Sequence, residues 1–107
     1  MTSEGKKFDQ GKDRWDLLPI AAIRHVLYVL NFGAKKYGAW NWTKVPDARN
    51  RYYSALMRHV TAWYGGENLD PETGIHHLAH AACNALFLLE FEVGQQRYVE
   101  ETKKETP

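Results

Sequence analysis

At 107 residues, with a formal charge of +1 and 44% hydrophobic side chains, the chain is long enough for one domain with a real but modest core. Its 14 Lys and Arg are spread rather than blocked, which speaks against a general nucleic-acid surface while leaving local clusters able to grip a phosphate. No run approaches the roughly 18 apolar residues of a membrane span, residues 1–14 are too polar for a signal peptide, and a lone cysteine excludes an internal disulfide framework. A cytoplasmic protein is the expectation. Cys83, inside a run of alanines and leucine, reads as a small core residue. Four Trp and six Tyr are too many to bury well in so short a chain, so some should line a pocket or a subunit interface.

Residues 1–7 read as a flexible start. Residues 7–19, KFDQGKDRWDLLP, follow as an irregular arm in which Asp9 and Gly11 form turns. Lys12 and Arg14 beside that glycine form one candidate phosphate grip; the plainer reading is a solvated arm pinned by Trp15, Leu17 and Leu18. Pro19 suits a first helical turn, with Asp16 as its cap. Ile20, Ile23, Leu27 and Leu30 then recur at helical spacing beside Val26, which predicts a first helix over about residues 19–32 and leaves His25 at its boundary.

Residues 33–42, GAKKYGAWNW, read as a turn-rich linker. Lys35 and Lys36 could reach phosphates while Tyr37, Trp40 or Trp42 stacks on a base; equally, the aromatics could close one end of a bundle. Pro46-Asp47 offers a cap for a second helix, carried by Tyr53, Leu56, Met57, Val60 and Trp63 and ended by Gly65-Gly66. A polar turn, ENLDPETG, precedes a third helix over about residues 75–92, with Asp70-Pro71 as a second cap signal. Leu78, Ala82, Ala85 and Leu89 form its expected core stripe, and His77, His80, Ala81, Asn84 and Leu88 a second one. Val93-Gly94 should break or fray it, leaving residues 95–107 as a charged tail, a short helix or an oligomer contact. The fold class expected is all-α, a single domain of three main helices with an irregular N-terminal arm.

Four of the five histidines, His59, His76, His77 and His80, fall on the second hairpin, with Glu67, Asp70 and Glu72 in its turn. Antiparallel packing would bring His59 opposite His77 or His80. With Asp70 or Glu67 these make a His/carboxylate metal set. Without a metal, His59, His77, His80, Asn84 and Arg58 could hydrogen-bond a base, ribose or phosphate. A satisfied polar layer that fixes helix register is the third reading.

The segments KFDQGKDRWDLLP, FGAKKYGAWNW and RYYSALMRHVTAWYGGENLDPETGIHHLAHAACNALFLLE together resemble the dATP/dGTP diphosphohydrolase N-terminal domain family, found largely in phages, over about residues 6–92. The resemblance implies a small all-α protein handling purine nucleotides, in the host cytoplasm if phage-encoded. It is similar in turn to MazG-like pyrophosphatases, which cut between the α- and β-phosphates with Mg²⁺ on helix carboxylates. Their EExxE cluster has no counterpart here, because the second helix contains no carboxylate, while Glu67 and Asp70 keep an ExxD spacing. Under this reading Glu67, Asp70 and His80 are catalytic, and Glu67, Asp70, His59 and His80 hold Mg²⁺ or Mn²⁺. Lys12, Arg14, Lys35, Lys36, Tyr37, Trp40, Arg58, His77 and Asn84 contact substrate. The alternative is a non-catalytic homo-oligomer that sequesters a nucleotide, for instance a cyclic signalling one. Neither a membrane nor a nucleic-acid partner is expected.

Overall fold

The computed structural model describes residues 4–105, with side chains described for residues 4–94. Three helices carry the fold: α1 (Ile20–Tyr37), α2 (Ala48–Tyr64) and α3 (His77–Glu105), with short 3-10 turns at Trp15–Leu17 and Asn41–Lys44. The described residues contain no sheet, only an isolated bridge between Leu69 and His76, so the all-α expectation holds. α3 is the central element, and both α2 and α1 pack against it. The expectations for residues 1–3 and for the side chains of residues 95–107 lie outside the described residues.

α1 runs a turn and more beyond its predicted end. Gly33 lies inside it, and the helix stops at Gly38, whose φ of 100° suits a residue without a Cβ. The Gly38 N–H closes on the Ala34 carbonyl at 2.8 Å. Lys35, Lys36 and Tyr37 therefore form the last turn of a helix rather than a linker, where cations also meet the negative end of the helix dipole. The predicted caps fare differently. Asp16 pairs with Arg14 at 2.6 Å in the preceding 3-10 turn and Pro19 occupies the cap position of α1. Asp47 does occupy the cap position of α2, but its carboxylate accepts from the Asn50 amide at 3.0 Å and from no backbone N–H of the helix.

One aromatic clamp joins the segment before α2 to α3. Trp42 stacks on Phe87 with ring centroids 4.3 Å apart, and its carbonyl accepts the Tyr52 hydroxyl at 3.0 Å. Tyr52 in turn meets Phe87 edge-on at 5.1 Å. Offset rings and a satisfied hydroxyl let these large side chains bury area without stranding a polar atom.

Of the two stripes expected on α3, only the histidine one is buried. His77, His80, Ala81 and Asn84 are buried inside the chain, together with Ala79 and Cys83. Leu78, Ala82, Ala85 and Leu89, the predicted core stripe, are exposed, as are Leu86 and Val93. On α2, likewise, Leu56 and Val60 are half-buried while Tyr53, Met57 and Trp63 face outward. The fully buried apolar residues among those described are only Val26, Ala79, Ala81 and Cys83. Nor does α3 break at Val93-Gly94; it continues to Glu105.

Removing the ring at the centre of the clamp should be costly. Phe87→Ala is expected to lower unfolding free energy by about 2 kcal/mol, below the usual cost of a fully buried Phe because the ring is half-buried. Urea titration followed by tryptophan fluorescence measures it, with Trp42 reporting the loss of stacking.

Candidate functional site

The turn between α2 and α3 is a hydrogen-bonded loop that holds its carboxylates in place. The Glu67 N–H bonds the Ala62 carbonyl, Asp70 N–H bonds Ile75, Gly74 N–H bonds Asp70, and His77 N–H bonds Asn68, at 2.7–3.0 Å. Gly66 and Gly74 take φ of 107° and 72°, which lets the chain reverse twice in few residues. Asp70 caps this turn rather than α3: its Oδ2 accepts the Thr73 backbone N–H and hydroxyl, both at 2.9 Å. α3 is capped instead by His76, whose Nδ1 accepts the Leu78 N–H at 3.0 Å.

Two short hydrogen-bond chains run from this loop into the helices. In the first, His77 Nε2 lies 2.6 Å from Glu67 Oε1, and His77 Nδ1 lies 2.8 Å from His59 Nδ1 on α2. A carboxylate only accepts, so Nε2 of His77 carries the proton and its Nδ1 presents a lone pair when the ring is neutral. In the second, Thr73 Oγ1 lies 2.7 Å from His80 Nε2, 2.9 Å from Asp70 Oδ2 and 3.2 Å from the Ile75 nitrogen. The hydroxyl has one proton, which goes to the carboxylate. His80 Nε2–H therefore donates to Thr73, and the lone pair of His80 sits on Nδ1. The His80 ring lies flat against His59, centroids 4.4 Å apart.

Burial, and then the charge of neighbouring histidines, holds His59 below the ordinary imidazole value; burial also lowers His80, against the opposing pull of Asp70. Burial alone would raise Asp70, but the two Thr73 hydrogen bonds and the nearby His80 and His59 bring it below the ordinary carboxylate value. Cys83, 2% exposed, has its thiol pushed up to about 11 by burial, so it is a core thiol and not a nucleophile.

Part of this network borders a cleft of about 1420 Å³. His59, Asp70, Thr73, His80 and Asn84 line it, with Lys36, Lys44, Arg51 and Arg58 as its cations and Tyr37, Trp40, Trp42, Tyr52 and Phe87 as its aromatics. Trp40, 69% exposed, takes a left-handed φ of 66° that a bulky side chain seldom adopts. Lys36 spans to Glu72 at 2.6 Å, tying the end of α1 to the loop.

The predicted site residues thus divide. Lys36, Tyr37, Trp40, Arg58, His59, Asp70, His80 and Asn84 share the cleft. Lys12, Arg14 and Lys35 do not line it, and Arg14 is engaged by Asp16. His77, 4% exposed, is held between Glu67 and His59 rather than turned to the cleft. Glu67 is likewise engaged with His77. Sequence reasoning missed Lys44, Arg51 and Thr73; only Thr73 had a legible signal, the Asp-x-x-Thr spacing of a side-chain turn.

One donor atom from each of His59, Asp70 and His77 lies within 4.8 Å of the others. Magnesium does not fit this set: it favours oxygen ligands in octahedral array, and two of the three donors are imidazole nitrogens.

Fold and site together define a small helical protein built around a polar, cation- and aromatic-walled cleft. The chain belongs to the dATP/dGTP diphosphohydrolase N-terminal family, whose model matches residues 2–101. A protein of Salmonella phage PMBT28 named dATP/dGTP diphosphohydrolase is 39% identical over 84 residues, covering 78% of this chain. The chain spans 28% of that relative's length. No solved structure matches. Among the described residues no helix is long and apolar enough to cross a membrane.

Because His59 and His80 take up protons less readily folded than unfolded, the unfolded chain binds more protons as pH falls through the ordinary imidazole range. Stability should therefore be full above about pH 7 and decline toward pH 5. Urea midpoints measured at intervals from pH 8 to 5 should fall, and His80→Gln should flatten part of that slope.

Proposed function

We propose that the cleft binds a purine nucleoside triphosphate of the dATP or dGTP type and hydrolyses it to monophosphate and pyrophosphate with the help of a divalent ion. The observation that carries this reading is the convergence, in one cleft, of stacking aromatics, cations and the His59, His80 and Asp70 side chains. Trp40, held outward by its backbone, would stack on the base. Lys36 and Arg58, with Lys44 and Arg51, would take the phosphate charge. Water would attack the α-phosphorus, the bond to the α–β bridging oxygen would break, and pyrophosphate would leave with the electron pair. His80, kept neutral with its lone pair on Nδ1, would accept the water's proton, and Asp70 and Thr73 would hold its ring. A bound divalent ion supplies positive charge to the phosphate oxygens. A free deoxynucleotide substrate would put this activity in the cytoplasm, that of the host if the gene is phage-borne.

Sequestration without turnover is the second reading, favoured by the absence of any carboxylate on α2. Incubating the chain with dATP, dGTP and a panel of cyclic nucleotides, with and without Mg²⁺ or Mn²⁺, separates the two. Metal-dependent monophosphate is the expected product, and His80→Gln should cut turnover by about 100-fold while sparing the fold. Intact nucleotide retained at a fixed ratio per chain would favour sequestration instead.

We also propose that the chain functions as a homo-oligomer through the exposed stripe of α3. Leu78, Leu86, Leu89 and Val93 are between 39% and 56% exposed on one side of this helix. Leu78, Leu86, Leu89 and Val93 alternate with Ala82 and Ala85, so large side chains on one copy can fill the gaps beside small ones on a second. Light scattering should give a dimer or larger, and Leu86→Glu with Leu89→Glu should dissociate it. A wild-type monomer at tens of micromolar would exclude self-association and assign the stripe to another partner.

A further inference from the structure

We infer that His59, His77 and Asp70 form a two-histidine, one-carboxylate site for a transition-metal ion of the Mn²⁺, Co²⁺ or Zn²⁺ class, and that Glu67 is its positioning carboxylate rather than a ligand. The inference rests on the reading above in taking this cluster as the reactive end of the cleft; the binding itself is independent of turnover.

Three separate elements supply the donors: α2 gives His59, the loop gives Asp70 and α3 gives His77. The Nδ1 atoms of His59 and His77 face each other at 2.8 Å. In the metal-free chain His59 Nδ1–H donates across this contact; an ion displaces that proton, which moves to His59 Nε2, and since two nitrogens at about 2.1 Å from one ion stand roughly 3.0–3.4 Å apart, a shift of a few tenths of an ångström completes the chelate. His77 cannot offer a proton there, since its Nε2–H is committed to Glu67 at 2.6 Å. An imidazole whose far nitrogen donates to a carboxylate is the arrangement that raises ligand basicity and fixes ring orientation at metal centres. Asp70 is prepared in the same manner: Thr73 occupies Oδ2 twice, leaving Oδ1 for an ion. His80 stands outside the set, because the donors that lie within 4.8 Å of one another come from His59, Asp70 and His77.

Two imidazoles and one carboxylate select against Mg²⁺ and leave positions open for water or phosphate oxygens. The set reassigns two residues relative to the sequence expectation, with His77 replacing His80 and Glu67 moving behind it.

The test uses metal-stripped 107-residue chain equilibrated with Mg²⁺, Mn²⁺, Co²⁺ or Zn²⁺, desalted and assayed for metal content, with the visible spectrum of the Co²⁺ form as a ligand signature. About one transition ion per chain and no retained Mg²⁺ is expected. His59→Ala and Asp70→Asn, checked for folding by circular dichroism, should lose the ion. Glu67→Gln should weaken affinity about 10–100-fold and shift the Co²⁺ spectrum. His25→Ala should change nothing. Failure to retain any ion, retention undiminished in folded His59→Ala and Asp70→Asn, or loss of the ion in His25→Ala would overturn the assignment. Metal bound without nucleotide turnover would leave it standing and remove only the hydrolytic reading.

Discussion

A carboxylate at the edge of a loop and a ring at the start of a helix set the geometry of this protein. Glu67 meets His77 at 2.6 Å, and His77 meets His59 at 2.8 Å, so one line of polar contacts crosses from the loop through α3 to α2. The loop could otherwise swing about its two left-handed glycines, Gly66 and Gly74. Every buried side-chain nitrogen and oxygen among the described residues finds a partner, so this polar layer incurs no stranded donor or acceptor. Hydrogen bonds to ionised groups are roughly twice as strong as neutral ones, and a half-buried Glu–His contact gains from that. The layer therefore positions the very residues whose chemistry is of interest.

Much of the architecture was legible in the sequence. Three helices, the glycine-ended α2 and the approach of His59 to His77 and His80 across a hairpin all follow from spacing and stop signals. The error at α1 came from two glycines five residues apart. Gly33 has open space around it and is simply tolerated in the helix, whereas Gly38 is needed for its positive φ. Spacing does not distinguish a tolerated glycine from a required one. The caps misled for a related reason: Asp16, Asp47 and Asp70 each have a side-chain partner closer than a helix N–H, in Arg14, Asn50 and Thr73.

The exposed leucine stripe of α3 has a different origin. Periodicity tells which residues share a stripe, and it grouped Leu78, Ala82, Ala85 and Leu89 correctly. Which stripe lies inward depends on what covers it, and with α2 and α1 packed against α3 the histidine side is the one left buried. The site was similarly half legible. Facing histidines and nearby acids can be read from the hairpin, but the division of labour among them depends on which ring nitrogen each acid or hydroxyl occupies.

Cys83 gains a use from the same packing. Its sulfur is sealed at 2% exposure and held as a thiol by a pKa near 11. A small alkylating reagent at neutral pH therefore reacts only in those moments when α3 parts from its neighbours. Nature has in effect placed a single chemical clock in the centre of the fold. Its labelling rate counts the openings of the bundle, residue for residue beside the histidine layer, with no probe added and no substitution made.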